Sequence, residues 1–180
     1  MRVLIACEFS GIVRDAFRVK EHIAWSCDLI ETETEEKNYH LRGDVLQWIA
    51  GYEGLPWDLM IAHPPCTYLA VSGARWFKDR LKEQVDALGF VQKLLTAPIA
   101  KIALENPISV ISSKIRKPDQ IVQPWMFGHG ETKAICLWLK NLPKLIPTDI
   151  VSGRENRIHR MPPSPNRGKD RSRFYKGIAT

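Results

Sequence analysis

A chain of 180 residues, 44% hydrophobic and 26% charged, has the composition of one globular domain, and 11 glycines with 12 prolines are too few for a low-complexity or collagen-like protein. No apolar run reaches the roughly 18 residues of a membrane span, and Glu8 interrupts the N-terminal apolar stretch before a secretory core could form, so a cytoplasmic location is the expectation. The net charge of +6 is carried by the end of the chain: residues 1–150 hold 18 basic and 18 acidic residues, residues 151–180 eight basic and two acidic. Such a segment reads either as a polyanion-binding patch or as a solvated basic tail.

Met1 to Glu8 reads as a buried strand, followed by the turn Phe9-Ser10-Gly11 and a helix with Ile12, Val13, Ala16 and Phe17 on one face. Ile23 to Leu29 is a second strand ending near Asp28, and the acidic run Glu31–Glu36 with Asn38–Gly43 reads as an exposed connection. Asp44 opens a short segment that Gly51 and Gly54 close. Asp58 to Ala62 is a third strand, stopped by His63-Pro64-Pro65-Cys66 because proline cannot continue a central ladder. Phe77, Leu81, Val85, Leu88, Val91 and Leu95 keep steps of three and four, which predicts one long helix ended by Pro98. Ile99 to Leu104 is a strand terminated by Glu105-Asn106-Pro107, and Ile108–Gly130 is irregular. Ala134, Ile135, Trp138 and Leu142 predict a last amphipathic helix closed by Pro143, with Leu145-Ile146 as a short strand. Beyond Thr148, Pro162, Pro163 and Pro165 make a stiff basic segment. Alternating strands and helices imply a single-domain α/β fold, a Rossmann-like doubly wound and mostly parallel sheet.

In such a sheet ligands bind beyond the carboxyl ends of the strands, where this chain places Glu8-Phe9-Ser10-Gly11, Asp28, Pro64-Pro65-Cys66 and Glu105-Asn106. Gly11 reads equally as a turn residue, and Asp28 as a cap or as an acceptor for the hydroxyls of an adenosine ribose. The four cysteines, Cys7, Cys27, Cys66 and Cys136, contain no C-x-x-C pair and read as reduced thiols with no metal expected. Cys66 is a small buried hydrophobe, a metal ligand with His63, or a nucleophile; its place behind two prolines at a strand end, where loop amides can stabilise a thiolate, favours the nucleophile. Glu105 ends an apolar strand, so desolvation should raise its pKa and let it hold a proton, unless it caps the next loop.

Taken in order, Phe9-Ser10-Gly11, Asp28, Asp44, Pro64-Pro65-Cys66, Glu105-Asn106 and Arg154-Glu155-Asn156-Arg157-Ile158 resemble the cytosine-5 DNA methyltransferases, in particular the small phage and prophage members. The resemblance implies that residues 1–150 are an S-adenosylmethionine-dependent catalytic domain and that residues 151–180 belong to it or contact nucleic acid. It implies that Phe9, Ser10, Gly11, Asp28, Asp44 and Pro64 bind S-adenosylmethionine, that Cys66 attacks carbon 6 of cytosine, that Glu105 holds ring nitrogen 3, and that Arg157 contacts the base. Arg154, Arg160, Arg167, Lys169, Arg171 and Arg173 then contact the phosphates of DNA. The chain departs from the family with Val13 and Arg14 where a second glycine pair is usual and Thr67 where glutamine often follows the cysteine. Only 46 residues separate Asn106 from Gly153, too few for a full target-recognition domain, so RNA, a free pyrimidine nucleotide or a protein partner supplying recognition remain alternatives. A catalytically silent DNA-binding or anti-restriction module of the same fold is the reading from another class.

Overall fold

The computed structural model describes residues 1–165 and 167–179. β1 (Arg2–Ala6) is apolar from Val3 on and buried on both faces, as a central parallel strand must be. It pairs in parallel with β2 (Ile23–Asp28) on one side and with β4 (Leu59–Ala62) on the other. With β3 (His40–Arg42), β5 (Lys101–Pro107), β6 (Gln120–Val122) and β7 (Ile135–Lys140), the sheet order is β3-β2-β1-β4-β5-β7-β6, and β7 runs antiparallel to both neighbours. The order reverses direction between β1 and β4. That reversal opens a crevice at the strand ends, because the chain leaves the two neighbouring strands toward opposite sides.

The helix α2 (Leu81–Leu95) covers one face of the sheet, where Val91 and Leu94 meet Leu4, Met60, Ile102, Leu104 and Trp138. The helix α1 (Ile12–Val19) covers part of the other face, packing Val13 and Phe17 on Val3, Ile5 and Leu59. That second layer is completed by the end of the chain. Phe174 and Ala179 join the α1 cluster, and Tyr175, itself buried, packs with Val122, Phe127, Ile135 and Leu137. The stiff basic segment expected after Thr148 is therefore corrected to three short helices, α4 (Arg157–Arg160), α5 (Arg167–Ser172) and α6 (Lys176–Ala179), docked through their few apolar residues. Charge dominates the composition of this stretch and hides the apolar residues that anchor it.

Other expectations change as well. Ile135 to Lys140 is a strand and not a helix, and Leu145-Ile146 is not a strand. Ile135, Cys136, Leu137 and Trp138 are all buried, which suits a strand flanked on both sides, whereas an amphipathic helix would turn part of such a run to water. The long helix begins only at Leu81: residues Val71–Asp79 form a 3-10 segment, Leu81 and Val85 are exposed, and Gln84 is buried with its Nε2 donating to the Tyr68 carbonyl at 3.0 Å. Glu105 and Asn106 lie inside β5, not after it. The exposed connection 38–43 contains the edge strand β3, and the irregular stretch after Ile108 contains α3 (Ile111–Lys114) and β6.

Docking of the tail is tight at Gly177, where a Cβ would come within 2.0 Å of the Phe127 carbonyl oxygen. Gly177→Ala is expected to destabilise the docked tail by about 1–3 kcal/mol through overpacking. Limited trypsin digestion checks this: the tail of the parent should resist cleavage at its basic residues, and that of the variant should be cut first. Equal cleavage rates would contradict a docked tail.

Candidate functional site at the strand switch

The chain leaves β1 through Cys7 in a left-handed conformation, φ 60°, and reaches Gly11, φ 71°, at the start of α1. Glu8 is thereby turned back under the helix. Its Oε1 accepts from the Val13 amide at 2.7 Å and the Ser10 hydroxyl at 3.2 Å, and its Oε2 accepts from the Arg14 amide at 3.2 Å. In a dinucleotide site these first-turn amides face the pyrophosphate. Here a carboxylate of the chain already occupies them. Ser10 is buried against Glu8, and the missing Cβ of Gly11 makes room for the chain itself, since it would lie 2.7 Å from Thr34 Cγ2 and 2.8 Å from Arg14 Nη2. Arg14 is fully buried, its guanidinium donating to Asp15, Ser26 and Thr34.

Asp28 ends β2 and accepts the Ile30 amide at 3.2 Å; Asp44 caps the turn after β3 and accepts the Leu46 amide at 3.0 Å. Each makes a local turn, and both act on the same thiols. The Cys27 thiol is pushed up to about 12 by burial and by Asp28 and Asp44, and Cys7 is pushed up too, by burial and then Asp28. Two carboxylates thus converge near the ends of β1 and β2, where both act on Cys7 and Cys27. An adenosine fits this donor and acceptor set, since ribose hydroxyls can donate to carboxylates and a sulfonium is attracted by them, while the filled helix N-terminus disfavours a phosphate.

On the other side of the switch, β4 ends in His63 and the Pro64-Pro65-Cys66 loop. The buried Asn106 side chain holds that loop, its Nδ2 donating to the Pro64 carbonyl at 2.9 Å. The His63 amide donates to the Ala6 carbonyl at 2.9 Å, and its Nδ1 lies 3.2 Å from Glu105 Oε2. Burial pushes the Glu105 carboxyl up, but the hydrogen bond and charge of His63, with Lys133 beyond, outweigh it and hold the group below the usual carboxylate range. The expectation that desolvation would raise Glu105 is corrected by this partner, which the pairing of β4 with β5 brings alongside it. Cys66 is exposed at the surface while its neighbours crowd water from the thiol. Burial and then Glu105 push that thiol up against Lys133, its own amide and Arg171, so the expected low-pKa thiolate is corrected as well.

The basic residues are distributed differently from the sequence reading. Arg157 donates to Glu131, whose other oxygen accepts from the Tyr175 hydroxyl at 2.9 Å. Lys169 and Arg173 pair with Glu33 at 2.7 and 3.0 Å, and Lys169 also lies over the Phe9 ring. Arg167 donates to the Met161 carbonyl. Arg154 stacks on Trp125 at 3.9 Å and, with Arg157 and Arg160, lines an open pocket of about 780 Å³. The cation that acts on both Cys66 and Glu105 is Lys133, whose Nζ donates to the Arg171 carbonyl at 3.0 Å. Nothing in its irregular sequence context marks it. Among the described residues no helix is long and apolar enough to cross a membrane.

No family model matches the chain. No curated protein matches it. Among solved structures, the chain superposes on a protein encoded within a prophage in E. coli and designated a DNA modification methyltransferase, with a TM-score of 0.52 and 15% sequence identity over 83% of this chain and 53% of that one. This chain therefore spans about half the length of that protein. At such identity the likeness shows a shared fold.

The site makes a direct prediction about thiol reactivity. In the folded protein Cys66 should be the first thiol alkylated by iodoacetamide, because Cys27 and Cys136 are buried and Cys7 is half-buried. Its rate should climb with pH without a plateau below about pH 9, the ordinary range of a thiol whose thiolate is not stabilised. A plateau near neutral pH, or fast labelling that survives Cys66→Ser, would contradict the geometry.

Proposed function

We propose that the protein is an S-adenosylmethionine-dependent methyltransferase acting on carbon 5 of cytosine in DNA. The observation that carries the reading is the pairing of an exposed thiol with a largely buried carboxylate on the β4 side of the strand switch: Cys66 on a loop fixed by Asn106, and Glu105 on the adjacent strand, close enough to raise the thiol. The shared fold supports it, because the neighbouring structure is designated a DNA modification methyltransferase.

S-adenosylmethionine, when bound, supplies an electrophilic methyl group, and Phe9, Asp28, Asp44 and Pro64 are the residues that would hold it. Ser10 and Gly11 serve by shaping the turn, since both are occupied with the chain. Carbon 5 of cytosine is a poor nucleophile until carbon 6 is attacked, and Cys66 is the group placed to attack it. The thiol is largely protonated in the free protein, so substrate must displace water and bring positive charge or a proton acceptor before addition. Lys133 is the cation closest in effect. Glu105, ionised in the free protein, holds ring nitrogen 3 once it carries a proton and so neutralises the charge that addition creates there. A stacked base hides carbon 6, so the target must be flipped or single-stranded. Arg154 and Arg160 border the open pocket of the tail and are the cations that would take backbone phosphates, with Arg157 reaching the base only if it leaves Glu131.

Two measurements test this. Cys66→Ala should lower turnover by more than about a thousandfold while cofactor affinity measured by calorimetry stays within about twofold, because the thiol acts on the base. Duplex DNA carrying 5-fluorocytosine should form a denaturation-resistant adduct with the parent and none with the variant; turnover within about tenfold of the parent would end the covalent reading. For DNA, Arg154→Ala with Arg160→Ala should flatten the slope of log affinity against log salt by about 1.8, at roughly 0.9 per lost phosphate contact. An unchanged slope would remove these two arginines from the interface.

A further inference from the structure

His63 stands between two buried carboxylates. Its Nδ1 is 3.2 Å from Glu105 Oε2, with the two side chains 12% and 13% exposed, and its charge also acts on Glu8. The Phe174 ring closes on it at 4.9 Å between centroids. Its Nε2 is buried without a hydrogen-bond partner among the described residues. Beneath α1 and the tail lies an otherwise apolar cavity of about 350 Å³, lined by His63 and Glu105, with Lys20 as the remaining charged residue of its wall. A purely structural histidine in such surroundings is better replaced by an apolar side chain, because an unpaired buried ring nitrogen is costly. A histidine kept there beside the carboxylate of the proposed site has a use for its proton.

We infer that His63 is the positioning residue of Glu105: its Nδ1 fixes the carboxyl against the floor of the site, and the pair shares the one proton that cytosine nitrogen 3 takes up. The inference rests on the cytosine reading above. When the Cys66 sulfur, having given its proton to water, bonds to carbon 6, the carbon 5 to carbon 6 π pair moves to the bond between carbons 4 and 5. The pair of the carbon 4 to nitrogen 3 double bond moves onto nitrogen 3, which takes up the one proton of the pair, passed from His63 Nδ1 through the Glu105 carboxylate. Once carbon 5 carries the methyl group and has lost its hydrogen as a proton to water, the sulfur leaves with its electron pair and nitrogen 3 returns its proton to the pair. One proton leaves the pair and one comes back, so no external acid is consumed.

The groups that act on this pair or share its cavity are Glu8 at the end of β1, Lys20 after α1, Cys66 in the loop after β4, Lys133 ahead of β7 and Cys136 within it, with the Phe174 ring of the tail over His63. Removing His63 leaves Glu105 to burial, which raises the carboxyl, so the group must then take its proton from solvent and holds it only below that raised range. This separates a proton-sharing role from a propping one.

The test measures release of tritium from carbon 5 of cytosine in duplex DNA by the full chain without any methyl donor. That exchange needs addition of Cys66 with proton uptake at nitrogen 3, protonation of carbon 5 by solvent, and then loss of the triton from carbon 5 as the sulfur leaves. Rates are taken from about pH 5.5 to about pH 9 for the parent, His63→Asn and His63→Leu. Asparagine places a donor where Nδ1 stands but cannot give up a proton, so a merely structural His63 would be rescued by it. The inference expects both variants to lose at least about tenfold in exchange rate at neutral pH, with DNA affinity within about twofold, and to recover most of the loss on acidification. His63→Asn exchanging at the parental rate, or a loss that is the same at every pH, overturns it, and His63→Asn alone suffices should His63→Leu not fold. A parent that neither exchanges carbon 5 nor methylates DNA refutes the cytosine reading itself, a result distinct from a working parent with insensitive variants.

Discussion

Parallel pairing of β1 with β4 is the constraint from which the rest follows. The two strands are the most buried elements of the sheet, and their connections depart toward opposite faces. Their carboxyl ends cannot both be roofed by a connecting helix. A gap therefore opens where Glu8, His63, Pro64 and, one strand further, Glu105 emerge from apolar runs. Each polar group there must find a partner inside the protein or inside the crevice.

The chain resolves this demand in two ways. On the β1 side it fills its own anion site: Glu8 satisfies the first-turn amides of α1, burial still pushing its carboxyl above the usual range against His63, those amides and Ser10. Two further acids, Asp28 and Asp44, are left facing the strand ends. On the β4 side it leaves chemistry open, with a surface thiol, a carboxylate held ionised by a histidine, and one lysine. The tail belongs to both halves. Lys169 and Arg173 bind Glu33 beside Phe9, Phe174 covers His63, and the Arg171 carbonyl orients Lys133. Surface ion pairs such as those to Glu33 are worth little alone, roughly 0–1 kcal/mol each, so the buried Tyr175 and the half-buried Phe174 are what hold the segment.

Much of the α/β architecture was legible because β1, β2, β4 and β5 are mostly apolar runs stopped by proline or acid. The helix-strand confusion at Ile135–Lys140 arose because a short apolar run fits both periods, and only its two flanking strands decide it. β3 was hidden by its length of three residues and its edge position. Cys66 and Glu105 could be read because proline stiffening and an acid in an apolar strand are local signals. Their protonation could not, since it depends on His63 and Lys133, which come to the site through strand pairing and through contact with the tail. Arg157 shows the converse: its motif register is local, and its partner Glu131 is 26 residues away.

The most direct test of the account is the position of the transferred methyl group. Duplex DNA incubated with the protein and S-adenosylmethionine labelled in its methyl group, then digested to nucleosides and resolved by mass spectrometry, should carry the label on carbon 5 of cytosine. Label on an exocyclic amino group, or on no nucleoside while the cofactor binds, would contradict the account.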